Sequence, residues 1–274
     1  MKNKIIGLSL VGMMSTMLLF ADGNTTTKKV TVLTDAEKKE ILASSTVELP
    51  SAGSLANHLQ KNLGDIAWSK FMNLKTEDIS KFSEERKALH LGAKGADAYF
   101  LAIAQDSAHL NGVSKNINNT LNKIILDKKP LSKRVGKKNL KALEDEIKAK
   151  KWAKVLDKIT KLKSKISREL VSAKQNDLKV LNDVGGWIEG YRLAVEGLKS
   201  NYKAKSTDVL LQNELINYLL SELKGLKSSD EKTTLVTALG QVKKVVSKGT
   251  KNHQLAKVEV LELSTVLSTL QSIL

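Results

Sequence analysis

The amino-acid sequence predicts an all-α fold, a multi-helix bundle of about seven to nine helices with a central close-packed helix pair. Three observations carry this. Apolar residues recur at three- and four-residue spacing through most of the chain, the period of one buried helix face. Leu, Lys, Ala, Ile, Val, Ser and Glu dominate, while 274 residues contain two prolines and 4% aromatics, a composition that favours helix. Glycine and alanine gather inside two helical stretches, around residues 92–98 and 185–190, where another backbone can come close.

Residues 1–21 read as a signal peptide. Lys2 and Lys4 precede the uncharged run Ile5–Phe20, and Ala21 offers a small residue for cleavage. A sixteen-residue uncharged, largely apolar run suits a signal better than a spanning helix, which needs about 20. Leu19 is large for a cleavage site, so an uncleaved anchor is the competing reading. No second long apolar run follows, which predicts no transmembrane span once the signal is removed. Residues 22–75 form an irregular N-terminal helical segment. Thr34 with Glu37 makes a capping box, Pro50 breaks that helix, and Leu55, Leu59 and Leu63 mark another that Gly64 ends. Ile66, Trp68 and Phe71 fall on a further turn.

Residues 76–274 make the main bundle. Thr76 caps a long helix, with Glu77 and Asp78 in its first turn, running through Leu89, Gly92, Ala93, Ala96, Tyr99, Phe100 and Ile103 to about Ser107. Gly112 punctuates the chain. Ile117, Leu121, Ile124 and Ile125 mark the next helix, which Pro130 stops. Residues 128–173 are a basic helical hairpin. Leu140, Leu143 and Ile147 define its first arm, and Trp152, Val155, Leu156, Ile159, Leu162, Ile166 and Leu170 its second, with a turn near 148–151. A helix from Asn176 to Tyr202 follows. Three more run from Thr207 or Asp208 to Lys224, from Ser229 to Ser247, and from about His253 to Leu274.

The helix at 176–202 carries Gly185, Gly186 and Gly190 within six residues. Each costs about 1 kcal/mol relative to Ala, so close approach of a neighbour is the physical reason to expect. The stretch Asp97-Ala98-Tyr99-Phe100-Leu101-Ala102-Ile103 matches Glu189-Gly190-Tyr191-Arg192-Leu193-Ala194-Val195 at an offset of 92 residues. The two helices are therefore expected to be structurally equivalent and to pack together at the centre. The runs 91–99 (LGAKGADAY) and 185–190 (GGWIEG) also resemble two signatures of a group of secreted, helical bacterial proteins with no established activity. The likeness spans roughly residues 85–220. It implies a secreted helical fold and transfers no catalytic residue. Many of those proteins are lipoproteins, whereas this chain has no cysteine to lipidate.

The absence of cysteine also excludes disulfides, thiol chemistry and thiolate zinc sites. The formal charge is +16, and residues 128–165 hold fifteen Lys/Arg against four acids. That concentration points to an anionic partner, and the residues singled out for it are Lys133, Arg134, Lys137, Lys138, Lys150, Lys151 and Lys154. A solvated Lys-rich hairpin without a partner is the plainer reading. Export and the lack of aromatics interleaved with Lys argue against nucleic acid.

Asp97 and Glu189, with Tyr99, Trp187 and Tyr191 nearby, are the candidate ligand-binding residues. Two carboxylates in a low-dielectric site raise one pKa or recruit a small cation or amine. Otherwise each acid bonds a neighbouring Tyr, Lys or Arg or points to water, Glu189, Arg192 and Glu196 forming a surface charge row. The four histidines are scattered, Asp106 and His109 lack a second pair for a metal site, and no nucleophile elbow, phosphate loop or zinc-protease helix is present. Neither a cofactor nor catalysis is expected. The leading expectation is an exported, non-enzymatic binding or scaffold protein, periplasmic or secreted, whose basic hairpin engages an anionic envelope surface or an acidic protein. The alternative is a periplasmic small-ligand or cation-binding sensor using the Asp97/Glu189 region.

Overall fold

In the computed structural model, residues 52–249 and 252–274 are described. The signal segment, the Thr34 capping box and the Pro50 break lie outside them. The fold is an all-α multi-helix bundle with a packed central pair. Ten α-helices occur among the described residues: α1 Ala52–Leu63, α2 Glu84–Ile103, α3 Ser107–Lys123, α4 Leu131–Val135, α5 Lys137–Lys148, α6 Trp152–Ser172, α7 Asn176–Ser200, α8 Asn213–Gly225, α9 Asp230–Gly249 and α10 Lys257–Ser268. None of the described helices is long and apolar enough to cross a membrane.

Local chemistry explains where helix starts differ from the sequence expectation. The long helix begins at Glu84 rather than at Thr76. Asp78 accepts the backbone N–H of Ser80 at 3.0 Å and diverts the chain into a 3-10 turn, Ile79–Lys81. Ser83 then caps α2 by accepting the N–H of Arg86 at 3.0 Å, with Glu84 and Glu85 in the first turn. The helix stops at Ile103 because Gln105 turns left-handed, with φ of 58°. Asp106 opens α3 by accepting the N–H of His109 at 3.2 Å. Gly112 therefore lies inside a helix instead of breaking one. Similarly, a 3-10 stretch occupies Ala204–Leu210, which delays α8 to Asn213, and the last helix starts at Lys257, not near His253.

Asp127 and Lys128 both take left-handed φ, 45° and 64°, as a two-residue hairpin turn requires. They join two short strands, β1 Ile125–Leu126 and β2 Lys129–Pro130. The five-residue α4 that follows this hairpin takes the helix count to ten among the described residues. The basic hairpin itself forms as α5 and α6, with Lys150 left-handed in its turn.

The core is organised on α2 and α7. Asn182 Nδ2 donates to the carbonyl of Ala88 at 3.2 Å. A Cβ on Gly185 would sit 2.2 Å from Leu89 O, and one on Gly92 would sit 1.9 Å from Asn182 O and 2.7 Å from Gly186 N. The backbones thus meet where only glycine fits. Ala88 faces Asn182, Leu89 faces Gly185, Gly92 faces Gly186 and Asp97 faces Glu189. Partner numbers rise together, so the two helices run parallel, and the 92-residue offset of the sequence repeat is close to their spatial register. A third glycine, Gly197, admits the Trp68 ring, which would lie 2.8 Å from an added Cβ. Trp68 is buried and meets Phe100 edge-on at 4.7 Å.

Candidate functional site

Three features flank the central pair: a buried charge cluster on one side, an apolar cleft on the other, and the basic hairpin that walls the cleft.

The cluster is built by two short spacings. On α2, Lys94 Nζ donates to Asp97 Oδ2 at 2.9 Å and to the Asn73 carbonyl at 2.9 Å. On α7, Arg192 donates to Glu189 twice, Nε to Oε2 at 2.8 Å and Nη2 to Oε1 at 2.5 Å, and to the Phe71 carbonyl at 2.7 Å. All four side chains belong to buried residues, exposed by 6% at Lys94, 1% at Asp97, 5% at Glu189 and 4% at Arg192. Glu189 and Arg192 are thus not part of a surface row. The parallel register of the helices sets the two carboxyls side by side.

That contact decides their protonation. Burial opposes charge on Glu189, but the Arg192 hydrogen bonds and positive charge hold its pKa below the ordinary value. Burial and the adjacent Glu189 push Asp97 up to about 8. Ionised, Asp97 would leave Oδ1 buried with no donor; as a carboxylic acid it can donate to Glu189. Of the two carboxyls, Asp97 is therefore the one that favours keeping a proton and Glu189 the one that favours the charged form.

This proton has a measurable consequence. The unfolded chain releases it near the ordinary value of 3.8, the folded chain only near 8. Between these limits the folded state binds more protons, so this group makes stability fall as pH rises. The slope reaches about 1.4 kcal/mol per pH unit where a whole proton separates the states. Asp97→Asn is expected to remove that contribution. Urea unfolding of both proteins between about pH 5 and pH 8 checks it; an unchanged slope would assign the proton elsewhere.

Of the other residues singled out beside these acids, Tyr191 is fully buried and its Oη donates to the Leu210 carbonyl at 2.7 Å. Trp187 stacks on Tyr191 at 4.7 Å, and its Nε1 donates to Gln212 Oε1 at 3.0 Å. Tyr99 and Trp187 line the apolar cleft, away from Asp97 and Glu189, so the five residues do not converge on one cavity. The equivalence of the repeats extends to the acids, not to the tyrosines. Arg192, not either acid, borders a polar hollow of about 400 Å³ with Lys70, Glu196, Lys199 and Ser264. Asp106 and His109 bond each other at 2.6 Å as part of the α3 cap. Among the described residues no group of three or more His, Asp or Glu is placed to hold a metal ion.

The cleft holds about 100 Å³ between the central pair and α6, lined by Gly95, Ala96, Tyr99, Ile159, Ile166 and Trp187 among others. Compared with family models, curated proteins and solved structures, the chain matches none. The functional reading rests on geometry and charge.

Along α6, Lys151, Lys154, Lys158, Lys161 and Lys165 recur every three or four residues and form one stripe about 21 Å long. Lys133, Lys137, Lys138, Lys150, Lys151 and Lys154 are exposed and have no acidic partner among the described residues. Arg134 differs: it is half-buried and ion-paired to Asp127, with Glu169 at 4.0 Å, so it braces α4 against the hairpin. Trp152 lies half-buried beside the turn. The lysine concentration was legible in the sequence; the bracing role of Arg134 depends on a turn and a distant Glu169 that spacing does not link.

Proposed function

We propose that the protein is an exported, non-enzymatic binding protein whose basic hairpin docks on an anionic envelope surface. The observation that carries this reading is the set of exposed lysines at and beside the hairpin turn, Lys148, Lys150, Lys151 and Lys154, which have no acidic partner among the described residues. A lysine near an anionic surface contributes about 1 kcal/mol, an effect that fades within a Debye length. Trp152 beside the turn is half-buried against the core, so attachment rests on charge. A cation sensor at Asp97 and Glu189 is less well supported, because Lys94 and Arg192 already occupy both carboxyls.

Co-sedimentation with vesicles of phosphatidylcholine, with and without phosphatidylglycerol, tests the proposal. The wild type is expected to pellet only with the anionic vesicles and to be released by salt. Replacing Lys150, Lys151 and Lys154 by Gln together should weaken binding roughly a hundredfold, from about 1 kcal/mol at each site. Pelleting indifferent to salt and to the triple substitution would refute the docking role.

A further inference from the structure

We infer that the apolar cleft between the central pair and α6 is a binding site for the alkyl chain of an anionic single-chain amphiphile. The argument starts from Gly95. A helix-interior glycine is unfavourable, and the neighbouring Gly92 has a packing reason for its presence, since a Cβ there would strike backbone. Gly95 has none: a Cβ at this position would meet nothing within 4 Å. Gly95 lines the cleft, so the missing side chain leaves room that no residue fills.

The walls suit hydrocarbon. Leu91, Ala96, Ile117, Leu143, Ile159 and Ile166 face the space. Its volume of about 100 Å³ is of the order of a cavity that accepts one small apolar molecule, and its open side lets a chain extend outward. The mouth is selective in charge. Lys163 is exposed there without an acidic partner among the described residues. Asp183, the acid at the mouth, is paired with Lys179 at 3.0 Å. Tyr99 lines the same space, and its hydroxyl has no hydrogen-bond partner among the described residues. Among the described residues, one cation and one hydroxyl without partners and a neutralised acid favour a carboxylate or phosphate head over a cationic or zwitterionic one. This inference is independent of hairpin docking, which uses the lysines at and beside the hairpin turn, Lys148, Lys150, Lys151 and Lys154.

Titration with decanoic acid, read by the emission of Trp187 in the cleft wall, tests it. The wild type is expected to show a saturable change in emission, one probe per chain, which dodecyl phosphate reproduces and inorganic phosphate does not. Gly95→Leu fills the cleft and should unfold at or above the wild-type temperature while weakening probe binding at least tenfold. Gly95→Ala should weaken it by a smaller factor, and it serves alone if the Leu variant does not fold. Lys163→Gln should lower affinity for the acid but not for dodecanol. Binding unchanged in Gly95→Leu, or in Gly95→Ala where that variant serves alone, or no saturable binding to the wild type, overturns the inference. The vesicle assay separates the two proposals: Gly95→Leu should pellet with anionic vesicles like wild type, and the hairpin Lys→Gln variant should keep its probe affinity.

Discussion

Gly92→Ala is expected to abolish the cooperative fold at ambient temperature, a loss above about 4 kcal/mol from a single methyl group. In helical peptides the same change is favourable by about 1 kcal/mol. Here the new Cβ would lie 1.9 Å from Asn182 O and 2.7 Å from Gly186 N, against a practical limit near 3.0 Å. Both obstacles are backbone, so neither can rotate away. The helices would have to separate by roughly an ångström along their closest line, and tightly packed interiors resist such a shift. The Asn182–Ala88 hydrogen bond lies in the same contact and would break with it. Gly185→Ala should behave alike, with Leu89 O only 2.2 Å from the added atom. Far-ultraviolet circular dichroism through a urea series reads both.

Arg192→Ala is expected to cost about 3–5 kcal/mol, the range for removing one partner of a buried ion pair. Glu189 would lose both guanidinium hydrogen bonds while remaining buried, and the turn at Phe71 would lose its anchor to α7. The penalty reflects an orphaned charge more than the net worth of the pair. Accordingly, Glu189→Gln combined with Arg192→Met should recover a large part of the loss. A double-mutant cycle in urea measures the coupling; additive losses would show that Glu189 does not depend on Arg192.

The bundle was readable in the sequence because helical periodicity and capping are local. The pairing of 97–103 with 189–195 was readable through the repeat, and the meeting of Asp97 with Glu189 follows from it. What escaped was set by competition between neighbouring signals or by distant contacts. Thr76 and Ser83 offer rival caps, and the Asp78 turn gives the helix start to Ser83. Within the Gly-Gly-Trp stretch, a Cβ on Gly186 would lie 3.1 Å from Gly92 O, a tight contact but a milder conflict than at Gly185. Nothing in the spacing tells Gly92, which contacts backbone, from Gly95, which faces a cleft. Nor does it reveal that Lys94 and Arg192, three residues from each acid, turn inward to the carbonyls of Asn73 and Phe71.

That same contrast gives the most direct test of the central claim, that α2 and α7 meet at backbone contact on one face of α2 and leave a cleft beside it. Gly92→Ala and Gly95→Ala make the same chemical change three residues apart on one helix. Urea unfolding of the two, side by side, should show Gly95→Ala as stable as wild type or more stable by up to about 1 kcal/mol. Gly92→Ala should be largely unfolded. Equal stability of the two variants would contradict the close-packed pair.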